Sequence, residues 1–283
     1  MRIHSQVIHQ GDVALAAQSF GDPEHPAILL TMGATASMLW WPEELCEALA
    51  ETGRFVIRYD NRDTGQSTTY EPGEPPYSMD DMADDALAIL DGFGIECAHL
   101  VGMSLGGMIA QLVTLKAPSR AFTLTAISSS AFDEDDPDLP PMEPKLLAHF
   151  ATMETLDWSD RAAVVAFQVE SSRISSGENA RFDEGRARHL AESEYDRAIN
   201  PQSALNHSLL TGGESWAGHL GDIQCPVLVI HGKSDPILSF AHGQKLAASF
   251  LKSRLVALEA GHELNPKDWP QIVAEIERHT ALF

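Results

Sequence analysis

Apolar residues along the chain keep two periods, and these alternate in a regular order. Ile3 and Val7 share one parity before a Gly11-Asp12 turn, and Val13 and Leu15 follow it, which predicts a hairpin of edge strands. Ala27-Ile28-Leu29-Leu30 and Phe55-Val56-Ile57 are short continuous apolar runs, as strands buried on both faces require. Between them Leu45, Leu49 and Ala50 are interleaved with Glu43, Glu44 and Glu47 behind Pro42, the pattern of a surface helix with a proline early in its first turn. Ser78-Met79-Asp80-Asp81 has the form of a capping box, and Met82, Ala86, Leu90 and Phe93 carry a helical stripe onward. A run ending His99-Leu100-Val101, a helical stretch from Met108 to Val113 and the strand-like Phe122 to Ile127 continue the series. Strand and helix in turn call for a parallel sheet with right-handed crossovers.

The alternation stops between Ala131 and about Gly221. Acidic and proline-rich residues come first, then helical patterns such as Leu146 to Phe150 and Ala162 to Phe167, then a more polar stretch from Ser172 to Ser193. About ninety residues without strand patterning are too many for a plain loop in a compact domain. The sheet resumes with Val227-Leu228-Val229-Ile230, a helix around Gly243 to Phe250, a last strand from Arg254 to Leu258, and a closing helix from Trp269 to His279. The expected architecture is α/β: residues 1–131 and 222–283 form a core of one mostly parallel eight-stranded sheet flanked by helices, and residues 132–221 form an inserted helical cap.

Composition narrows the function. Of 283 residues, 41 are Asp or Glu and 19 Lys or Arg, for a formal net charge of −22. Such a surface repels phosphate backbones and anionic membranes, so neither nucleic acid nor a membrane is expected as a partner. Cys46, Cys97 and Cys225 are too few and scattered for a disulfide framework or a zinc cluster and read as reduced core residues. No stretch approaches the about eighteen apolar residues of a membrane span, and the first residues lack a secretion signal's apolar run. A cytoplasmic location is the expectation.

The densest chemical signal is Gly102-Met103-Ser104-Leu105-Gly106-Gly107 between a strand and a helix. Ser104 on so sharp a turn adopts a strained backbone, and Gly102 and Gly106 leave room for strand and helix to approach. The turn lifts the Ser104 hydroxyl clear of the sheet. It also sets the Leu105 N–H at a helix N-terminus, where an unpaired donor can meet a developing oxyanion. The loop Thr31-Met32-Gly33-Ala34-Thr35 offers a second such donor, assigned to Ala34. After the next strand, Tyr59 to Ser67 is dense in turn formers and charges. It predicts a loop held by its own hydrogen bonds, with Asp60 and Arg62 pairing structurally rather than reacting.

A serine hydroxyl needs a base, and the base an acid that fixes its tautomer. Among twelve histidines, His262 stands out by following a buried strand behind Gly261, with His231 as its rival. The acid expected is Asp235, just past a strand end and stiffened by Pro236, because catalytic groups collect at the carboxyl edge of open α/β sheets. Asp133 and Asp135 compete for that role after the sixth strand. Glu263 and Asp268 read as surface residues. Near the elbow, Met32, Gly33, Met38, Trp40, Trp41 and Met103 supply a pocket, and the insertion adds Phe167 and His207.

With these residues the chain resembles the α/β-hydrolase superfamily over nearly its whole length, and within it the aclacinomycin methylesterase group. The likeness rests on Leu30-Thr31-Met32-Gly33, on Val56 to Asp60 followed by Arg62-Asp63-Thr64-Gly65, on Leu90-Asp91-Gly92, on the Ser104 elbow, and on Asp235-Pro236-Ile237 with Gly261-His262. Many superfamily members carry Arg-Gly-x-Gly where this chain has Arg-Asp-Thr-Gly, so that stretch is the more specific signal. The resemblance implies the α/β-hydrolase fold and hydrolysis of a carboxylic ester, with Ser104, Asp235 and His262 as triad and Ala34 and Leu105 as oxyanion donors. No cofactor and no metal are expected. The partner implied is a small-molecule ester, and association into a homo-oligomer is compatible with the sequence. The same triad could serve thioester, carbon–carbon or perhydrolase chemistry, and a ligand-binding protein that keeps the fold without turnover is the rival of a different class.

Overall fold

The computed structural model describes residues 3–133, 136–177 and 182–281. Its strands and helices follow as β1 (His4–Gln10), β2 (Val13–Phe20), β3 (Ala27–Thr31), α1 (Glu43–Glu51), β4 (Phe55–Tyr59), α2 (Met79–Gly92), β5 (Ala98–Met103), α3 (Leu105–Lys116) and β6 (Ala121–Ile127), then α4 (Pro144–Ala151), α5 (Arg161–Ser175), α6 (Glu184–Arg197), β7 (Val227–Gly232), α7 (Phe240–Ala248), β8 (Ser253–Leu258) and α8 (Trp269–Thr280). Eight strands form one sheet in the order β1-β2-β4-β3-β5-β6-β7-β8. The hairpin edge is antiparallel, β2 also runs antiparallel to β4, and the remaining pairs are parallel. The mostly parallel eight-stranded sheet of an α/β hydrolase is thus present.

Strand periodicity sorts the core into two layers. Ile28, Leu30, Val101 and Ile230 face α1 and α8, where Leu45, Leu49, Ile272 and Ile276 meet them. Their strand neighbours Leu29, Leu100 and Val229 face the opposite way, onto Met82 and Ile89 of α2, Ile109 and Val113 of α3 and Leu246 of α7. Each such side chain contributes roughly 1.5–3 kcal/mol on burial. Both faces of the sheet are covered over its central strands, which is why those strands read as continuous apolar runs.

The topology also fixes where chemistry can sit. From β3 the chain steps to β4 on one side, returns through α2 to β5 on the other, and then proceeds outward to β8. The order reverses at β3 and β5, and ligands of open α/β sheets bind beyond the carboxyl ends of strands at such a point. The loop after β3 begins there at Met32, and Ser104 follows β5 directly. Between β6 and β7 lie α4, α5 and α6 and a 3₁₀ segment, Pro201–Leu209.

In the loop after β4 the charge pairing departs from expectation. Asp60 and Arg62 do not pair with each other: Asp60 meets Arg197 of α6 at 2.6 Å, and Arg62 makes a two-pronged pair with Asp85 of α2 at 2.6 and 2.8 Å. Asp63, at a positive φ of 64°, accepts from the Tyr77 hydroxyl at 2.6 Å and the Asn206 amide at 2.9 Å. The loop is held by its own hydrogen bonds, among them the Gln66 amide to the Asp60 carboxylate at 2.9 Å and the Ser67 hydroxyl to the Asp60 carbonyl at 2.7 Å, and equally by α2, α6 and the 3₁₀ segment.

Candidate active site

Ser104 is the N-cap of α3 at φ 52° and ψ −122°, a left-handed-side conformation that costs a non-glycine residue of order 1–3 kcal/mol. Surrounding bonds hold it there. Its N–H donates to the Ile127 carbonyl at 2.9 Å, and its carbonyl accepts from the Ser129 hydroxyl at 2.8 Å and from the Gly107 amide at 2.9 Å. A Cβ at Gly102 would strike the Gly106 carbonyl, and one at Gly106 would strike the Thr31 carbonyl, so both positions require glycine. Ser129 was not legible beforehand, because a serine after β6 carries no local mark of the turn it braces.

Gly33 lies directly against the elbow: a Cβ there would come within 3.1 Å of Ser104 Cβ and 3.7 Å of its Oγ. Ala34, the next residue, therefore starts within the same neighbourhood, while the Leu105 N–H belongs to the first turn of α3, whose amides lack intrahelical partners.

His262 and Asp235 meet beyond the ends of β8 and β7. His262 Nδ1 and Asp235 Oδ2 are 2.8 Å apart, and the other carboxylate oxygen accepts from the Ile237 and Leu238 amides, each at 2.9 Å. With Nδ1 donating to the carboxylate, Nε2 is left as the basic nitrogen. The C-terminus of α5 fixes the histidine loop, since Ser175 and Ser176 carbonyls accept from the His262 and Gly261 amides at 2.7 and 3.1 Å. Burial by itself would lower the His262 pKa, but the charge and hydrogen bond of Asp235, helped by Glu263, raise it above the usual value. Burial likewise opposes ionisation of Asp235, and the two histidines and the Leu238 amide outweigh it, so its pKa falls below the ordinary carboxylate value.

The rivals are used differently. His231 is fully buried, donates through Nε2 to the Leu238 carbonyl at 2.7 Å and stands 3.5 Å from Asp235; burial lowers its pKa. It supports the loop that carries Asp235. Asp133 accepts from the Gly218 amide at 2.6 Å, and Asp135 falls outside the described residues.

A cleft of about 80 Å³, partly open to solvent, lies beside these groups. Met103, adjoining Ser104, and Glu263, adjoining His262, both line it, together with Met32, Trp40, Phe182 and Leu190. Glu263 thus differs from the surface residue expected. It is half-buried, and desolvation pushes its pKa up to about 7 against the pull of His262 and a hydrogen bond from Ser172. Asp268 is half-buried too, at the N-cap of α8.

The remaining expected pocket side chains are placed elsewhere. Trp41 and Met38 are core residues, 0% and 1% exposed. Phe167 stacks on His149 between α5 and α4 with ring centroids 4.4 Å apart, which removes its ring from the cleft wall. His207 is buried with both ring nitrogens on backbone, Nδ1 accepting from the Thr35 amide at 3.0 Å and Nε2 donating to the Arg62 carbonyl at 2.8 Å. Among the described residues no three His, Cys, Asp or Glu side chains converge as metal ligands, and no helix is long and apolar enough to cross a membrane.

The chain is similar to known proteins over nearly its whole length. Rhodomycin D methylesterase DauP from Streptomyces sp. (strain C5) is 34% identical over 98% of both chains, in keeping with the resemblance to methylesterases. The 3-oxoadipate enol-lactonase 2 of Acinetobacter baylyi is 27% identical over 90% of this chain and 88% of its own. The 2-hydroxy-6-oxo-6-phenylhexa-2,4-dienoate hydrolase from Rhodococcus sp. strain RHA1 shares the fold, with a TM-score of 0.78, 24% identity and 99% of each chain covered. The α/β hydrolase fold family matches residues 26–268, and this chain belongs to it.

Proposed function

We propose that this carboxylic ester hydrolase works through Ser104, His262 and Asp235, with the Ala34 and Leu105 amides as oxyanion donors. His262 Nε2 takes the Ser104 proton as Oγ bonds to the ester carbonyl carbon, and the carbonyl electron pair moves onto oxygen, where the two amides receive it. The adduct collapses, the alkoxide leaves with the proton from Nε2, and an acyl-serine remains. Water then gives a proton to Nε2 and adds to the acyl carbon, and Ser104 leaves with that proton. The reaction needs no cofactor.

The observation that carries the reading is the buried Asp235–His262 pair at the same sheet edge as the strained Ser104 turn. Relatives named as a methylesterase and an enol-lactonase support ester cleavage, and the cleft wall, with Met32, Trp40, Met103 and Leu190, is largely apolar as small-molecule sites are. Residues 132–221 serve as the lid over that cleft, since α5 and α6 supply Ser172, Arg186 and Leu190 to its wall. Treating the protein with a fluorophosphonate and mapping the adduct by mass spectrometry tests the proposal. A single adduct on Ser104 is expected; an unmodified protein would favour a ligand-binding role instead.

A further inference from the structure

The loop from Met32 to Met38 is pinned at four backbone positions by side chains from other parts of the chain. Asn61 donates to the Met32 carbonyl at 3.0 Å, and Asp60 accepts from the Met38 amide at 2.9 Å. The other two anchors belong to the segment between β6 and β7. His207 Nδ1 accepts from the Thr35 amide at 3.0 Å; Glu194 of α6 accepts from the Ser37 amide at 3.1 Å and from the Ser37 hydroxyl at 2.5 Å. Glu194 and His207 are both 5% exposed, whereas Ala34 and Thr35 are exposed. Arg197, one turn after Glu194, holds Asp60 as well, so α6 reaches the loop by two routes.

We propose that His207 and Glu194 are positioning residues for the oxyanion hole, setting through Thr35 and Ser37 the place of the Ala34 amide between Gly33 and these anchors. This rests on the reading of Ala34 as a donor to the oxyanion. Thr35 sits at φ 63°, a conformation a β-branched residue avoids, so the loop needs outside bonds to keep its path. An oxyanion donor works only within about 2.7–3.1 Å of the charged oxygen, so a small drift of the loop weakens it. His207 suits the task because its two nitrogens are separated in duty: Nε2 must carry the proton to reach the Arg62 carbonyl, which leaves Nδ1 as an acceptor. The segment that roofs the cleft thereby also tunes the hole.

The duties of the two nitrogens make the test selective. His207→Gln can keep a donor near the Nε2 position while losing the Thr35 acceptor; His207→Asn can keep an acceptor near Nδ1 while losing the Arg62 bond. Removing an oxyanion donor outright costs on the order of 10²–10³ in kcat, and a displaced one should cost less. His207→Gln is therefore expected to lose roughly ten- to a hundred-fold in kcat on an activated ester with KM little changed, and His207→Asn to stay within a few-fold of wild type. Glu194→Ala and Glu194→Gln should rank in the same way. The decisive readout is the affinity of an alkyl trifluoromethyl ketone, which adds Ser104 as an anionic hemiketal, relative to the matching methyl ketone. That preference should fall with kcat in His207→Gln and Glu194→Ala and return in His207→Asn and Glu194→Gln. Folded His207→Gln and Glu194→Ala proteins that keep the wild-type ketone preference would overturn the proposal, as would equal losses in the Gln and Asn variants of His207. Should wild type itself show no preference for the trifluoromethyl ketone and no fluorophosphonate adduct on Ser104, the triad reading fails, a result separate from the failure of the positioning claim.

Discussion

Asp235 binds His262 through one carboxylate oxygen, at 2.8 Å, and keeps the other on the amides of Ile237 and Leu238. The aspartate is thereby immobilised on both sides, and it can hold the imidazole in one tautomer without being displaced from its own loop. Asp235→Asn should keep the fold, disturb that tautomer and lower kcat by about 10⁴-fold. Asp133, bonded to the Gly218 amide on another part of the surface, should tolerate Asp133→Asn with little change. Steady-state kinetics on the two purified variants check this, and the reverse ranking would move the acid to the end of β6.

The pH profile depends on His262 and Glu263 together. General-base action needs neutral His262, whose pKa is raised, so kcat/KM should fall as pH drops through a midpoint above the ordinary histidine value. Ionised Glu263 stabilises the imidazolium, and its own pKa lies at about 7, so the two titrate as a coupled pair. Glu263→Gln removes the anion, lowers the His262 pKa and should shift the acid limb to lower pH. A limb that stayed in place or moved upward would contradict the coupling.

Substrate selection should follow the residues that face the cleft. Leu190→Ala should change relative kcat/KM across esters of increasing acyl length, by roughly 1–3 kcal/mol per methylene at most. Phe167→Ala, which unstacks the ring from His149, should lower Tm and leave the acyl-length profile superimposable on wild type. The opposite assignment of the two effects would place the acyl site at the α4–α5 contact.

The elbow and the sheet were legible because their causes are local. Gly102 and Gly106 mark a backbone crossing, and runs such as Ala27 to Leu30 mark strands covered on both faces. The capping box at Ser78 and Asp81 formed as its spacing implied, with both reciprocal bonds present. Partners distant in sequence were not legible. The Asp60–Arg197 and Arg62–Asp85 pairs depend on how α6 and α2 pack over the β4 loop, and nothing in Tyr59 to Ser67 names them. Glu263 sits among polar residues in a loop after β8, and it becomes a cleft residue only because α5 folds over it. His207 and Phe167 were expected to face the cleft on the strength of their side chains; the backbone groups and the ring that hold them lie in other segments.

The central claim is that Ser104 is the nucleophile, and the most direct measurement is turnover of an activated ester by Ser104→Ala. The substitution adds no bulk at a turn already held by Ile127, Ser129 and Gly107, so the protein should fold with wild-type circular dichroism. Its kcat should fall by on the order of 10⁴-fold or more. A folded Ser104→Ala protein that retained more than about a tenth of wild-type turnover would contradict the account.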